Sequence, residues 1–470
     1  MSPLGMSPLG MSDWASATAI AAAVRDRRMT ASAVVEACLE RISRLNPKLN
    51  AFTAVTADRA RKRAASVDAG TVSGPLAGVP FAVKNLIDVA GLVTVAGSRI
   101  NRGHAPAAAD APLVARLEAA GAILVGALNM GEYAYDFTGE NAHDGNCRNP
   151  HDTSRMAGGS SSGSGSAVGG GLVPLALGSD TNGSIRVPAS FNGVFGLKPT
   201  YGRLTRAGSF PFVSSLDHLG PLCRTVADLA AAYDVMQGPD PADPVCVDRG
   251  VEPVSPHLGR GVDGLRIATA GGYFRAGASS EALAALDGVA AALEVTQSVE
   301  IPGASVARSA AYIITTAEGA ALHLKRLRET PDDFDPDVRD RLIAGALVPG
   351  AAVTQAQKFR RVYRERVLAL FDSVDAILAP ATPCVAPKIG AKTFVLDGVE
   401  MPVRPNIGLY TQPISFIGLP VVAVPVPTAS GLPIGVQVIA PPWREDVALR
   451  IAQALESSGA ARILTPSLDG

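Results

Sequence analysis

Charged side chains are scarce in this 470-residue sequence, making up 18% of it against roughly 25% in a typical globular protein. The 42 Lys and Arg residues nearly balance the 43 Asp and Glu residues, so the basic excess of a nucleic-acid-binding protein is missing. No apolar run reaches the roughly 18 residues that a membrane-spanning helix needs. Because 47% of the residues are hydrophobic, we expect a large buried core, no direct nucleic-acid partner and no membrane association.

Cysteine and histidine are also few, and their spacing indicates neither a disulfide framework nor a structural zinc site. The five cysteines are scattered without a CxxC pair, and the six histidines show no metal-ligand spacing. The cysteines are Cys38, Cys147, Cys223, Cys246 and Cys384. We therefore expect free thiols and a cytoplasmic location, where thiols stay reduced.

The organisation of the chain indicates one folding unit. Residues 1–10 repeat the block MSPLG and are interpreted as a leader or start-site artefact. No long linker, charge block or further repeat divides residues 11–470, which we expect to form a single domain.

Helical and strand patterns alternate along this domain. Helical periodicity runs from Thr30 to a stop at Pro47, and again after a capping Asp110 to a stop at Gly121. Residues 173–177 are a short apolar run typical of a buried strand. The same patterns predict a helix from Thr225 to about Gly238 and strands over 122–125, 421–426 and 434–439. This alternation predicts an α/β class with helices layered on both faces of one sheet.

Glycine and serine crowd residues 157–200, a pattern useful where backbone must approach a ligand or aim N–H groups at an anion. A phosphate-binding loop fits poorly, because Val168 stands where the third glycine of GxGxxG belongs. A nucleophile elbow centred on Ser161 matches GxSxG, but polar residues precede it instead of a buried strand. A serine hydrolase with a lysine base explains more of the residues.

Ser184 and Lys84 are the candidates for that chemistry. Ser184 follows the turn 179–183, where successive backbone N–H groups can point at one oxyanion. Lys84 ends the apolar run GVPFAVK, so we expect desolvation to lower its pKa toward that of a useful base. The alternative is a lysine at the end of a strand with its amine in water.

These segments closely resemble the amidase signature family. The similarity rests on GGSSSGSGS, GSDTNGSIRVPA and GLKPT within about 158–200, on GVPFAVKNLIDVAG upstream, and on APATPCVAP and GLPIGVQVIA downstream. It implies the amidase signature fold, a mixed β-sheet between helical layers. It also implies a triad in which Ser184 is the nucleophile, Ser160 bridges through a cis peptide bond, and Lys84 is the base. The implied oxyanion hole is formed by backbone N–H groups of Thr181, Asn182, Gly183 and Ser184, and no metal or other cofactor is implied.

Two positions depart from the family pattern. Asn182 stands where many members have glycine, so its side chain either lines the pocket or merely tolerates a positive φ. We favour the second role, in which only the backbone acts. Asn85 stands where aspartate is common, so no argument can rest on an ion pair beside Lys84.

Substrate choice is assigned to the polar loop 133–149 and the residues around the nucleophile. The substrate-binding candidates are Tyr133, Asp136, His143, Asn182 and Arg186. A structural role, in which Arg186 and Asp180 tie the turn together, competes for Arg186. His218, which follows Asp217, is a weaker alternative to lysine as the base.

Within the family, FTGENAHDGNCRNPHD and YGRLTRAGSFPFVSSLDHLGP are most similar to the amidases of biuret and s-triazine degradation, the 1-carboxybiuret hydrolases. This resemblance implies hydrolysis of the C–N bond of a small amide or urea-like acid through an acyl-enzyme, with release of ammonia. It also implies a homodimer with a small helical partner subunit, together a heterotetramer. The alternatives are the glutaminase (A-type) subunit of a tRNA-dependent amidotransferase and a non-catalytic partner subunit, against which the intact Lys84, Ser160 and Ser184 argue.

Overall fold

Strands and helices alternate along the chain in the computed structural model, which describes residues 14–468; the proposed leader, 1–10, lies outside them. Within the described residues the strands are β1 (Phe52–Val55), β2 (Pro80–Lys84), β3 (Ile123–Leu128), β4 (Arg148–Asn149), β5 (Asp152–Met156), β6 (Leu175–Asp180), β7 (Phe195–Lys198), β8 (His218–Cys223), β9 (Ile267–Ala270), β10 (Gln297–Val299), β11 (Ala376–Pro380), β12 (Thr393–Leu396), β13 (Val399–Pro402), β14 (Val421–Pro427) and β15 (Pro433–Ile439).

The α-helices of the same described part are α1 (Ala17–Arg25), α2 (Ala31–Leu49), α3 (Ala57–Asp68), α4 (Pro112–Ala119), α5 (Ser162–Gly169), α6 (Arg186–Asn192), α7 (Val226–Met236), α8 (Ser280–Ala292), α9 (Ala304–Glu329), α10 (Pro336–Ala346), α11 (Gly350–Leu370), α12 (Val403–Asn406), α13 (Gln412–Ser415) and α14 (Glu445–Ser458). No helix among residues 14–468 combines the length and hydrophobicity that a membrane span requires.

Eleven strands form one mixed sheet in the order β1-β3-β2-β6-β8-β7-β14-β15-β11-β9-β10. Strand β2 runs parallel to β3 and β6, and β9 runs parallel to β10 and β11. The strands between these two parallel groups pair antiparallel. The prediction of a mixed sheet in an α/β protein is confirmed.

Both faces of this sheet are buried, because alternate side chains of one strand enter different clusters. Phe81 and Val83 of β2 pack with Leu177 in the cluster that includes residues of α4, α7, α9 and α14. Ala82 and Ala176 pack in the second cluster, with α2, α3 and α5. The two apolar layers explain how 18% charged residues suffice for the surface. All five cysteines are free thiols, as predicted.

Two predicted helix ends were wrong. Helix α2 continues through Pro47 to Leu49, because Leu49 is fully buried and the N–H of Asn50 still reaches the carbonyl of Asn46 at 2.7 Å. Asp110 does not cap α4, which begins at Pro112 without a side-chain cap. The Asp110 carboxylate instead binds the Arg59 guanidinium at 2.6 and 2.9 Å.

Candidate active site

Two neighbouring parallel strands bring the predicted site residues to one edge of the sheet. Lys84 is the last residue of β2, and β6 runs beside it with Val83 opposite Leu177. Ligand sites in such sheets lie outside the carboxyl ends of the strands. Ser184 follows at this edge in the turn between β6 and α6, and Ser160 lies in the turn before α5.

The Lys84 amine is enclosed by serine hydroxyl groups. The side chain is fully buried. Its Nζ donates hydrogen bonds to Ser160 Oγ at 2.7 Å, Ser179 Oγ at 2.9 Å and Ser161 Oγ at 3.1 Å. The Lys84 amine is therefore not in water. The desolvation predicted from the apolar run before Lys84 is confirmed.

Burial lowers the pKa of Lys84 from its ordinary 10.5 to about 7. The carboxylates of Asp217, Asp180 and Asp136 act in the opposite direction, since they favour the charged ammonium. Desolvation is the larger effect, because none of these carboxylates forms an ion pair with the amine. Near pH 7 a substantial fraction of Lys84 is neutral and can accept a proton.

The serine turn lies against the Ser184 loop. The peptide bond Gly159–Ser160 is cis, and the Ser161 N–H donates to the carbonyl of Ser184 at 3.3 Å. The Ser161 hydroxyl is already engaged, because it donates to the Ser179 carbonyl at 3.0 Å and accepts from the Ser179 N–H at 3.1 Å. Within residues 14–468, Ser184 Oγ has no hydrogen-bond partner, so the Ser160 and Ser184 hydroxyls are not bonded to each other here.

Four successive backbone donors beside Ser184 are free. Across the described chain, the N–H groups of Thr181, Asn182, Gly183 and Ser184 donate to no protein acceptor. Gly183 has a φ of 140°, and a Cβ there would lie 2.2 Å from Thr411 Oγ1. That hydroxyl donates to the Asn182 carbonyl at 2.7 Å, which fixes the loop. Buried donors are normally paired, so four unpaired ones at one site indicate an anion-binding position.

The Asn182 side chain does more than tolerate a special backbone conformation. Asn182 has no positive φ, so that part of the prediction was wrong. Its Nδ2 donates to Thr315 Oγ1 of α9 at 2.8 Å, while its Oδ1 is buried without a partner. An unpaired amide oxygen at this position can accept a hydrogen bond from a substrate N–H group.

Asp180 and Arg186 form a fully buried ion pair below the Ser184 loop. Two guanidinium nitrogens of Arg186 each lie 3.0 Å from an Asp180 carboxylate oxygen. Burial disfavours ionisation of Asp180, but the charge and hydrogen bonds of Arg186 outweigh it and lower the pKa of Asp180. These contacts agree with the structural role considered for Arg186, in which it ties the turn together with Asp180.

A narrow cavity opens on Ser184. Its free volume is about 20 Å³, close to that of one water molecule. The residues that line it include Thr181, Asn182, Ser184, Tyr135, Asp136, Phe212, Tyr312, Thr315, Arg341, Arg404 and Gln412. Two of the five predicted substrate-binding residues, Asp136 and Asn182, are therefore at this cavity.

Tyr133, His143 and Arg186 are not among the residues that line it. The Tyr133 ring packs 4.0 Å from the ring of His323, since it belongs to the apolar core. His143 Nε2 lies 2.9 Å from a buried Glu132 carboxylate, which holds the loop in place. Arg186 is held by Asp180 as described. The structure therefore does not bring these three residues to the cavity, and their contacts are with the surrounding protein.

The alternative base His218 is bonded to main-chain carbonyls through one ring nitrogen, while its Nε2 is buried without a partner among the described residues. Its Nδ1 lies 3.0 Å from the carbonyl of Asp180 and 2.6 Å from that of Leu216. The neighbouring Asp217 instead accepts from the Thr181 hydroxyl at 2.6 Å. No Ser-His-Asp arrangement is present among residues 14–468, nor any group of three or more His, Cys, Asp or Glu side chains placed to hold a metal.

Two arginines at the cavity were missed by the sequence reasoning. Arg404 of α12 binds Asp136 at 2.7 Å and Glu140 at 2.7 Å. Arg341 of α10 stacks on the Tyr135 ring at 3.9 Å and forms no ion pair with any described residue. Neither arginine stands in a recognisable motif, and both are far along the chain from Ser184, so no local signal marked them.

Comparison with known proteins identifies the family to which this chain belongs. A family model described as amidase matches residues 33–449. The chain belongs to the amidase family. It is a hydrolase that acts on amide C–N bonds, as the solved amidases it resembles are.

Relatives of this amidase cover nearly its full length. AtzE of Pseudomonas sp. strain ADP, which is one of the subunits of 1-carboxybiuret hydrolase, is 53% identical over 442 residues, 93% of this chain and 97% of that protein. The A-type component of the glutamyl-tRNA(Gln) amidotransferase of Symbiobacterium thermophilum is 37% identical over 468 residues, 91% of this chain and 93% of that protein.

Solved structures of related proteins have the same fold as this chain. A structure described as an unexpected vestigial protein complex that reveals the evolutionary origins of an s-triazine catabolic enzyme matches with a TM-score of 0.95 and 52% identity, over 96% of this chain and 100% of that one. The 6-aminohexanoate cyclic dimer hydrolase matches with a TM-score of 0.88 and 29% identity, over 98% of this chain and 100% of that one.

Proposed function

We propose that this amidase hydrolyses a small, carboxylate-bearing urea-like amide such as 1-carboxybiuret, with Ser184 as nucleophile, Ser160 as bridge and Lys84 as base. The observation that carries the proposal is the buried Lys84 amine hydrogen bonded to Ser160 beside the four free N–H groups of residues 181–184. The 53% identity to a component of 1-carboxybiuret hydrolase supports the substrate. In this proposal residues 11–470 act as one domain.

The proposed reaction begins with proton transfer. Neutral Lys84 takes the proton of Ser160, which takes that of Ser184 as its Oγ bonds to the substrate carbonyl carbon. The N–H groups of residues 181–184 bind the resulting oxyanion, each well-placed donor contributing roughly 3–4 kcal/mol. The proton then returns along the serines to the leaving nitrogen, the C–N bond breaks and ammonia departs. Water attacks the acyl-enzyme by the same route and releases the acid.

The second link of this relay forms, in the proposal, when substrate is bound. Catalytic hydrogen bonds are often long in the free enzyme and tighten in the substrate complex. The Ser161–Ser184 backbone bond of 3.3 Å keeps the two serine loops adjacent, and the proposal requires that rotation of the Ser160 or Ser184 side chain brings the two hydroxyls into contact.

Arg341 is the proposed carboxylate-binding residue. Arg404 already forms ion pairs with Asp136, Glu140 and Asp337. Arg341 lacks such a partner in the described residues, being held by main-chain oxygens that include the Asp337 carbonyl at 2.8 Å. A planar guanidinium suits a carboxylate.

Ammonia release from a panel of amides tests the proposal. We expect the highest kcat/KM for 1-carboxybiuret, lower values for malonamate and aryl amides, and none with Ser184→Ala. Faster hydrolysis of glutamine, above all if it required a partner and tRNA, would favour the glutaminase role instead. Activity that survived Ser184→Ala would contradict the assigned nucleophile.

The same panel tests Arg341. We expect Arg341→Ala to lower kcat/KM for carboxylated amides by about 10²-fold while changing that for uncharged amides much less. Arg339→Ala is the matched control, because Arg339 lies on the same helix but pairs with Asp332 and Asp340. Equal losses on charged and uncharged amides would reject the carboxylate role and leave the amidase chemistry standing.

The assembly and location belong to this proposal as well. The structure at 52% identity is described as a protein complex, which supports a partner subunit, while the homodimer and the small helical partner are what the resemblance implies. Light scattering of the protein, purified alone and with that partner, measures the mass of the assembly and so tests this part of the proposal. Five free thiols suit a reducing cytoplasm.

A further inference from the structure

A second cavity, separate from the catalytic one, lies against helix α11. Its volume is about 370 Å³, and we call it the α11 groove, lined by Arg360, Arg361, Arg364, Tyr201 and Trp443 among others. None of its lining residues lines the cavity at Ser184. The amidase chemistry therefore leaves this groove without a role.

Positive charge in the α11 groove is not neutralised by the protein. Arg360 and Arg364 are one helical turn apart and share a face. The Arg360 guanidinium is held by main-chain carbonyls, that of Ser215 at 2.8 Å and that of Phe416. Among residues 14–468 no carboxylate forms an ion pair with Arg360 or Arg364, whereas Arg361 pairs with Glu365 at 3.1 Å. Glu365 also lines the groove, but it pairs with Arg361, so Arg360 and Arg364 remain as two guanidinium groups without a carboxylate partner among the described residues, which favours an anion.

Aromatic walls of the groove are fixed in place. The Tyr201 hydroxyl donates to the Ser214 carbonyl at 2.6 Å. The backbone N–H of Trp443 donates to Thr200 Oγ1 at 2.9 Å, and Arg249 lies over the Trp443 indole ring at 5.2 Å. Rings that are already held bind a flat partner at little entropic cost.

From these features we propose that the α11 groove binds a nucleoside diphosphate. Arg360 and Arg364, spaced by one turn, suit two linked phosphate groups, with Arg360 offering the guanidinium N–H groups that the Ser215 and Phe416 carbonyls leave free. Arg206 lies over the Tyr201 ring at 5.5 Å and Arg249 over the Trp443 ring, so in the proposal the base stacks on the opposite ring faces. The volume of about 370 Å³ lies in the range of small-molecule pockets. The proposal stands independently of the amide substrate.

Titration calorimetry of the full chain with ADP and with pyrophosphate tests the site. We expect saturable ADP binding, with pyrophosphate weaker by about tenfold because it lacks the base. No saturable ADP binding, or equal affinity for pyrophosphate, would overturn the proposal.

Two variants of the same helix localise the binding. Arg364→Ala should weaken ADP binding by at least about tenfold. Arg366→Ala is the matched control, since Arg366 is exposed on α11 but does not line the groove. Both variants should hydrolyse amides like the parent protein. Equal weakening in both would show a diffuse charge effect and reject the groove.

Discussion

Two buried lysines of this amidase differ in what surrounds the amine. Burial lowers the pKa of Lys84 and of Lys198 to about 7 each, with Arg186 adding to the effect at Lys198. The Lys198 amine donates to the carbonyl of Pro199 at 3.0 Å, whereas the Lys84 amine reaches Ser160. A low pKa alone does not identify a catalytic base. The serine hydroxyl beside its amine distinguishes Lys84 from Lys198.

The lowered pKa of Lys84 predicts that the pH profile of kcat/KM has an acid limb, along which activity falls as the pH is lowered. Since only neutral Lys84 accepts a proton, log kcat/KM should rise with pH up to about 7 and then level off. Lys198→Met should keep this limb, because Lys198 does not contact the serines. Initial rates between about pH 5.5 and 8.5 measure it. A flat profile, or a limb that disappears with Lys198→Met, would contradict the role of Lys84.

At the scale of elements, the turn between β6 and α6 holds the four free N–H groups. Its shape depends on Gly183, where any Cβ would collide with Thr411. Thr411 precedes α13, so an element distant in sequence supports the loop after β6. The site is thus rigid because two chain segments meet there.

Gly183→Ala should lower kcat/KM by about 10²–10³-fold, because displaced N–H groups no longer meet the oxyanion. Gly431→Ala is the control: Gly431 also has a positive φ, 80°, but a Cβ there would meet nothing within 4 Å. Both substitutions carry the backbone cost of a positive φ, and only the first should reduce turnover. Similar activity in the two variants would count against the N–H groups.

Prediction at this scale succeeded where the signals were local. Thr225 caps α7 by accepting from the Asp228 N–H at 3.1 Å, as the spacing indicated. The predicted strands near the carboxyl terminus appear as β14 and β15. The end of α2 was missed because the burial of Leu49 outweighs the local preference of Pro47.

For the whole molecule, the buried Asp180–Arg186 pair joins parts that are remote in sequence. Besides Asp180 of β6, the Arg186 guanidinium donates to Gln437 of β15 at 2.6 Å, to the Thr411 carbonyl at 3.2 Å, and to Ser415 of α13. One side chain thus links the catalytic turn to the centre of the sheet.

Arg186→Met should destabilise the fold by about 3–5 kcal/mol, because it leaves the Asp180 carboxylate buried without its partner. Unfolding in urea measures the change. Arg275→Ala, which breaks the exposed pair with Asp287, should alter the midpoint little. If the two variants unfolded alike, the buried pair would not be the link that the contacts indicate.

The sequence by itself determined the α/β class and the family, and it marked Lys84, Ser160 and Ser184, because small-residue turns and apolar runs are local patterns. Only the tertiary structure decided that Arg341 faces the cavity, that Asn182 reaches Thr315, and how far the Lys84 amine is desolvated. Those properties depend on which distant segments pack together, and packing is a property of the whole sheet and its helices rather than of any short stretch of chain.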